Sequence, residues 1–242
     1  MDATELNPSD MIALSREEDI HRLRGTEIGV TSALYLHLKP LFAGLEAASK
    51  HARGRMLDLG CGNKPYKAMF AGRVTEHFGC DVVQSSERCV DILCPATAIP
   101  LEDGSFDTVL CTQVIEHVAD HKGVLQEAFR LLKPGGTLIL SAPMYWPLHE
   151  EPYDFFRFTR HGLDYLLKET GFAQVETIPN GGKWALAGQA LMHCLVTTRF
   201  YHWTVTRKVL IPFVNRSFSW LDNKYSNHNN PMNYVVVAQK PA

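Results

Sequence analysis

Nothing in this chain marks a disulfide or zinc framework: its six cysteines (Cys61, Cys80, Cys89, Cys94, Cys111 and Cys194) include no Cys-x-x-Cys pair. Several lie in apolar, strand-like runs, where a free thiol behaves as a small hydrophobe. Reduced thiols and a cytoplasmic location are therefore expected. No stretch reads as a membrane span, since the longest uncharged run after Lys183, Trp184 to Thr198, is short and interrupted by Gln189 and His193. The opening residues Met1-Asp2-Ala3-Thr4-Glu5 are acidic, whereas a targeting peptide would be basic and then apolar. A net charge of only -2 over 242 residues removes a whole-chain electrostatic case for nucleic acid. Internal repeats and low-complexity segments are also missing.

What is present is an ordinary globular composition, 45% hydrophobic and 21% charged. Apolar spacing predicts helices over 9–24 and 31–50. From Arg55 onward short apolar strands alternate with helices: strands at 56–59, 75–80, 90–93, 108–112, 137–141 and 173–178, helices at 122–132 and 159–170. That alternation predicts an α/β fold, a Rossmann-like, mostly parallel sheet with helices on both faces. A single domain is expected over 1–242, with N-terminal helices in 1–54, a core in 55–180, a helical insert in 181–230 and a last strand in 231–242.

The first strand ends in Asp58-Leu59-Gly60-Cys61-Gly62, a glycine turn at the carboxyl edge of a parallel sheet, where backbone can approach a ligand. Asp81, about twenty residues on, is placed to accept hydrogen bonds from ribose hydroxyls. A dinucleotide fingerprint would add a third glycine to hold a pyrophosphate. Here Asn63-Lys64-Pro65-Tyr66 follows instead, with Pro65 as a possible first helical residue. The loop suits an adenosine-type cofactor with a smaller, zwitterionic tail.

Four segments in register resemble class I S-adenosylmethionine-dependent methyltransferases of the type 11 family. They are Leu57–Gly62, Pro100–Asp107 (PLEDGSFD), Val114–Val118 (VIEHV) and Leu131–Gly136 (LLKPGG). The resemblance implies S-adenosylmethionine as cofactor and a seven-stranded sheet with its last strand antiparallel. It implies Asp58, Gly60, Cys61 and Gly62 around the methionyl end, Asp81 at the ribose, the backbone of Ala96 and Thr97 at the adenine, and Gln113 between cofactor and acceptor. Pro95 stands where many relatives have an acid, so a side-chain acceptor for the adenine amino group is missing there.

For acceptor chemistry, histidine is the natural base near neutral pH. His149 and His117 are the catalytic candidates, and Tyr145, Asp154 and Arg157 the substrate-binding ones. Pro147–Thr159 resembles an HxxPxDxxRxT signature in a type 11 subgroup. On local chemistry alone, Asp154 and Arg157 pair across a turn, Thr159 caps the next helix, and His117 orients the mouth of strand four. Glu116, His117, Asp120 and His121 form a carboxylate–imidazole cluster, but Gln113 replaces the first acid of the metal-binding Glu-x-x-Glu-His pattern, and no metal is expected. Gly181–Asn230 holds Lys183, Arg199, Arg207, Lys208, Arg216 and Lys224 against the single acid Asp222, interleaved with Trp, Phe and Tyr. Packing onto the sheet, a homodimer face, and contact with an anionic membrane surface are its three readings. The expected function is methyl transfer to an oxygen or nitrogen of a small-molecule or sugar- or lipid-linked acceptor. The alternative is a non-catalytic cofactor-binding interaction module; no nucleic-acid partner is expected.

Overall fold

The computed structural model describes residues 23–242 except 86 and 226–228. The helix expected over 9–24 lies almost wholly outside the described residues. Helix α1 is Tyr35–Ser49, shorter at its start than the 31–50 expected. The strands follow as β1 (Gly54–Leu59), β2 (Val74–Asp81), β3 (Ile92–Leu93), β4 (Phe106–Thr112), β5 (Leu132–Pro143), β6 (Ala173–Asn180) and β7 (Asn233–Gln239). Their order in the sheet is β3-β2-β1-β4-β5-β7-β6, with β7 antiparallel to both neighbours and all other pairs parallel. This is the Rossmann-like sheet the alternation predicted.

The continuous burial of Met56–Leu59, Thr108–Thr112 and Thr137–Pro143 follows from coverage on both faces. Leu57, Leu59, Val109, Leu138 and Leu140 point to a core shared with α3 (His121–Leu131) and α4 (Arg160–Glu169). The intervening Met56, Leu110, Ile139 and Val235 meet Leu38, Leu41 and Leu45 of α1 on the other face. The strand period of two distributes one sequence between two cores.

Two boundaries differ from expectation. The Lys133-Pro134-Gly135-Gly136 segment is the start of β5 and not a loop: Gly135 N–H donates to Lys240 O and Lys240 N–H to Gly136 O, which tie it to the residue after β7. The helix after the glycine turn, α2, is only Lys67–Phe70. A single turn supplies almost none of the axial dipole that a long helix would aim at an anion.

The insert between β6 and β7 is helical. It contains α5 (Lys183–Val196), a 3-10 turn (Arg199–His202), a π-helical turn (Thr206–Leu210) and α6 (Ile211–Tyr225). Asp222 on α6 accepts from the N–H groups of Gly182, Trp184 and Ala185, closing the open start of α5. Gln189 Nε2 donates to Ala33 O, and Asn215 Nδ2 to Val30 O and Ser32 O, which dock the pair on the approach to α1.

Candidate active site

Strand order reverses between β1 and β4, so a crevice opens beyond their carboxyl ends. The glycine turn sits there. Gly60 has φ +65°, and a Cβ on it would lie 2.4 Å from Val114 Cγ2, so the position excludes any side chain. Gly62 also has positive φ, and its N–H donates to Asp81 Oδ2 (3.0 Å). Asp81 Oδ1 accepts from Val83 N–H (3.3 Å). The acid expected at the ribose therefore also sets the shape of the loop.

Beneath the turn lies a second layer of contacts. Asp58 is buried and bonded to His77 Nε2 (2.8 Å); burial pushes its carboxyl upward against that bond. Cys61 is buried against Gly79, where a Cβ would come within 2.5 Å of its sulfur, so only the Cys61 backbone is positioned to face a ligand. Lys64 Nζ reaches His77 O (3.0 Å) and Asp91, whose carboxylate also accepts from Gly79 N–H. Burial raises the Asp91 pKa, but these bonds outweigh it and hold the carboxyl below its ordinary range. Asn63 is 5% exposed, and neither its side-chain nitrogen nor its oxygen has a partner among the described residues. A buried amide is normally bonded, and Asn63 is the exception in this loop. Neither His77 nor Asn63 was among the expected site residues, although Asn63 was legible as the polar residue directly after Gly62.

The remaining donor-side residues fall on the same edge. Ala96 and Thr97 are half-buried in a turn closed by Ala98 N–H to Pro95 O. Gln113 follows β4 with φ +54°, an uncommon state for a residue with a Cβ. Its N–H and its side-chain nitrogen both donate to Ser141, at the O and Oγ.

The loop after β5 forms the opposite wall. Arg157 Nη1 and Nη2 grip Asp154 Oδ1 and Oδ2 at 2.6 and 2.8 Å. Its other donors go to Trp146 O, Phe156 O and Pro147 O. All five guanidinium N–H groups are thus used inside the loop. The paired guanidinium holds the Asp154 carboxyl well below the usual carboxylate range. Asp154 Oδ2 accepts from His149 N–H (3.0 Å) and faces His149 Nδ1 (3.2 Å), as does Pro147 O (3.2 Å). Two acceptors at Nδ1 assign the proton there and leave the lone pair on Nε2.

His117 packs edge-on against His149, ring centroids 4.7 Å apart. Its Nδ1 faces Tyr153 O (3.0 Å), and burial lowers its pKa, which keeps it neutral. Glu116 is fully buried, with neither carboxylate oxygen bonded among the described residues, and burial pushes its pKa up to about 8. It is a neutral acid at pH 7, 3.9 Å from His117 Nε2 and so beyond hydrogen-bond range.

The cluster read from the sequence as Glu116, His117, Asp120 and His121 does not assemble as a ligand set. Asp120 caps α3 through Gly123 N–H, and His121 stacks edge-on against Phe156. His117, His149 and Asp154 do converge, with ligand atoms within 4.8 Å. Asp154, however, is already neutralised by Arg157, whose charge would repel a cation. Tyr145 is half-exposed at the rim, its N–H held by Met232 O. Deeper in the same wall, Trp146 lies against His37 (3.9 Å) and His193 of α5 (4.8 Å). Sequence reasoning missed this group because its members come from three distant segments.

Comparison with known proteins bears on this edge. Residues 57–140 match the family model described as a methyltransferase domain. That match, 84 of the chain's 242 residues, runs from β1 through the glycine turn into β5. A probable S-adenosylmethionine-dependent methyltransferase of Mycolicibacterium smegmatis is 30% identical over 51% of this chain and 53% of its own length. This chain spans only about half the length of the curated relatives it matches. Among solved structures, the 1,6-didemethyltoxoflavin-N1-methyltransferase of Burkholderia thailandensis, with S-adenosylhomocysteine bound, superposes with TM-score 0.55. It is 16% identical and covers 100% of this chain and 94% of its own. The [4+2]-cyclase SpnF reaches TM-score 0.56 at 18% identity, covering 84% of this chain and 81% of its own, so the fold does not by itself fix the reaction. S-adenosylmethionine is the cofactor of this domain class, and the bonded Asp81–Gly62 loop with the unpartnered Asn63 fits its polar tail.

Proposed function

We propose that the chain transfers a methyl group from S-adenosylmethionine to an oxygen or nitrogen of a small-molecule or sugar-like acceptor, with His149 as general base. The observation that carries this reading is the His149–Asp154–Arg157 relay across the crevice from the glycine turn. Arg157 fixes Asp154, Asp154 and Pro147 O hold His149 Nδ1, and Nε2 is left to take a proton. Bound S-adenosylmethionine supplies an already activated methyl on its sulfonium. The protein's part is then to orient the acceptor and accept its proton. Asp154 and Arg157 act in this reading as positioning residues, and Tyr145 lines the entrance.

On the donor side, Asp58, Gly60, the Cys61 backbone, Gly62 and Asn63 would hold the methionyl end, Asp81 the ribose, Ala96 and Thr97 the adenine, and Gln113 the boundary with the acceptor. His117, neutral and edge-on to His149, is the second proton acceptor. The aromatic group of Trp146, His37 and His193, with the unpartnered Gln189 Oε1 beside His193 and Asn233 Oδ1 beside His37, favours an uncharged ring bearing hydroxyl or amine groups.

The test is methyl transfer from labelled S-adenosylmethionine into fractionated cell extract and a panel of sugar and phenolic acceptors. The wild type should label at least one acceptor, and His149→Asn should cut the rate about 10²–10⁴-fold, the usual worth of a positioned base. Cofactor binding with no labelled product from any fraction would instead favour a non-catalytic binding module.

A further inference from the structure

The insert presents an outward face that a water-exposed helix pair does not require. Between Glu176 and Asp222 the sequence holds no acid, while Lys183, Arg199, Arg207, Lys208 and Arg216 are all basic. Along the π-helical turn and α6, Val205, Val209, Phe213, Arg216, Trp220 and Lys224 recur every three or four residues and are all exposed, so they form one outward stripe. Phe213 is 66% and Val209 61% exposed. The inward face is supplied separately by Thr206, Ile211, Val214 and Asn215. A stable helix pair thus buries one apolar face and shows a second. The stripe continues into Phe200 and Trp203, whose rings meet edge-on at 4.9 Å with Arg199 over Phe200. Lys224 sits over Trp220 at 5.1 Å.

We infer that this face docks the chain on an anionic lipid surface. Exposed Trp and Phe interleaved with Arg and Lys match the boundary between headgroups and acyl chains, where aromatic rings partition and cations meet lipid phosphates. A second copy of the chain fits less well, because a two-fold contact through this face would oppose basic residues to basic residues. No helix among the described residues is long and apolar enough to cross a membrane, so the contact would be peripheral. The face is connected to the crevice: α5, which packs beneath it, carries His193 against Trp146. Docking would therefore bring a membrane-held acceptor to the His149 wall, although the docking itself does not rest on methyl transfer.

Sedimentation with phosphatidylcholine vesicles, with and without phosphatidylglycerol, tests this. Binding should be on the order of tenfold or more stronger with the anionic lipid, and should weaken with added salt. Arg207→Gln with Lys208→Gln should lower it about tenfold, and Trp203→Ser with Phe213→Ser should remove it. Unchanged thermal unfolding and unchanged S-adenosylhomocysteine affinity would show that both variants remain folded. Equal binding to both vesicle types, or none, would overturn the inference. So would a concentration-dependent dimer of the wild type that the Trp203→Ser/Phe213→Ser variant no longer forms.

Discussion

The two walls of the crevice are built by different physics. The donor wall is backbone held by backbone and by carboxylates: Gly62 on Asp81, Gly79 on Asp91, Cys61 N–H on Cys80 O. Its shape tolerates no added atoms at Gly60 or Gly79. The acceptor wall is a set of side chains, His37, His117, His149, Trp146 and His193, held by one Asp–Arg pair and by ring contacts. A wall of backbone suits a ligand that never changes; a wall of side chains can be altered for a new acceptor without disturbing the sheet. Donor and acceptor functions should then separate under mutation.

The largest effect should come from Gly60→Ala. It forces a side chain into the left-handed region and onto Val114, costing about 2 kcal/mol or more of stability. S-adenosylhomocysteine binding should fall with the melting temperature. An Ala variant with wild-type affinity would break the account of this wall.

Next is Arg157→Ala. It leaves Asp154 buried without its counter-charge and His149 without a fixed tautomer, so kcat should fall about 10²-fold or more while cofactor affinity stays near wild type. The relay also has a pH signature. The Asp154 carboxyl is held below its ordinary range in the fold, so its stabilisation is present above pH about 4 and lost as pH falls towards the lowered value. In Arg157→Ala the main cause of that lowering is gone, so this acid-side loss of stability should shrink or vanish, as acid titration followed by circular dichroism would show.

A smaller effect concerns Glu116. Its pKa of about 8 in the fold exceeds the ordinary 4.5, so the folded chain holds a proton that the unfolded chain releases between those values. Stability should decline as pH rises from about 4.5 to 8 and then level off. Glu116→Gln, which cannot ionise, should flatten that decline and gain up to a few kcal/mol at pH 8, read by denaturant unfolding across pH. A wild-type slope retained in the variant would assign the pH dependence elsewhere.

How much could be read from the sequence follows the same division. The donor wall lies within a continuous stretch, and its chemistry is local: a glycine turn, an acid at the end of the next strand, and the missing third glycine. The strands and the position of Thr159 as a cap, accepting from Gly162 N–H, were legible for the same reason. What escaped needed pairing across distance. His77 meets Asp58 only because β1 and β2 lie side by side, and the Trp146 group joins α1, the loop after β5, and α5. The Lys133–Gly136 segment, between the expected helix 122–132 and strand 137–141, is recruited into β5 by Lys240 just after β7, a contact more than a hundred residues away in sequence. For Asp154 and Arg157 the sequence left ligand and pair both open, and the guanidinium geometry favours the pair.

The separation of the two walls is tested most directly by calorimetric titration of S-adenosylhomocysteine into the wild type and His149→Asn. The account predicts one molecule bound per chain, with dissociation constants within about twofold of each other. No binding to the wild type, or a loss of affinity in His149→Asn comparable to its loss of methyl transfer, would contradict it.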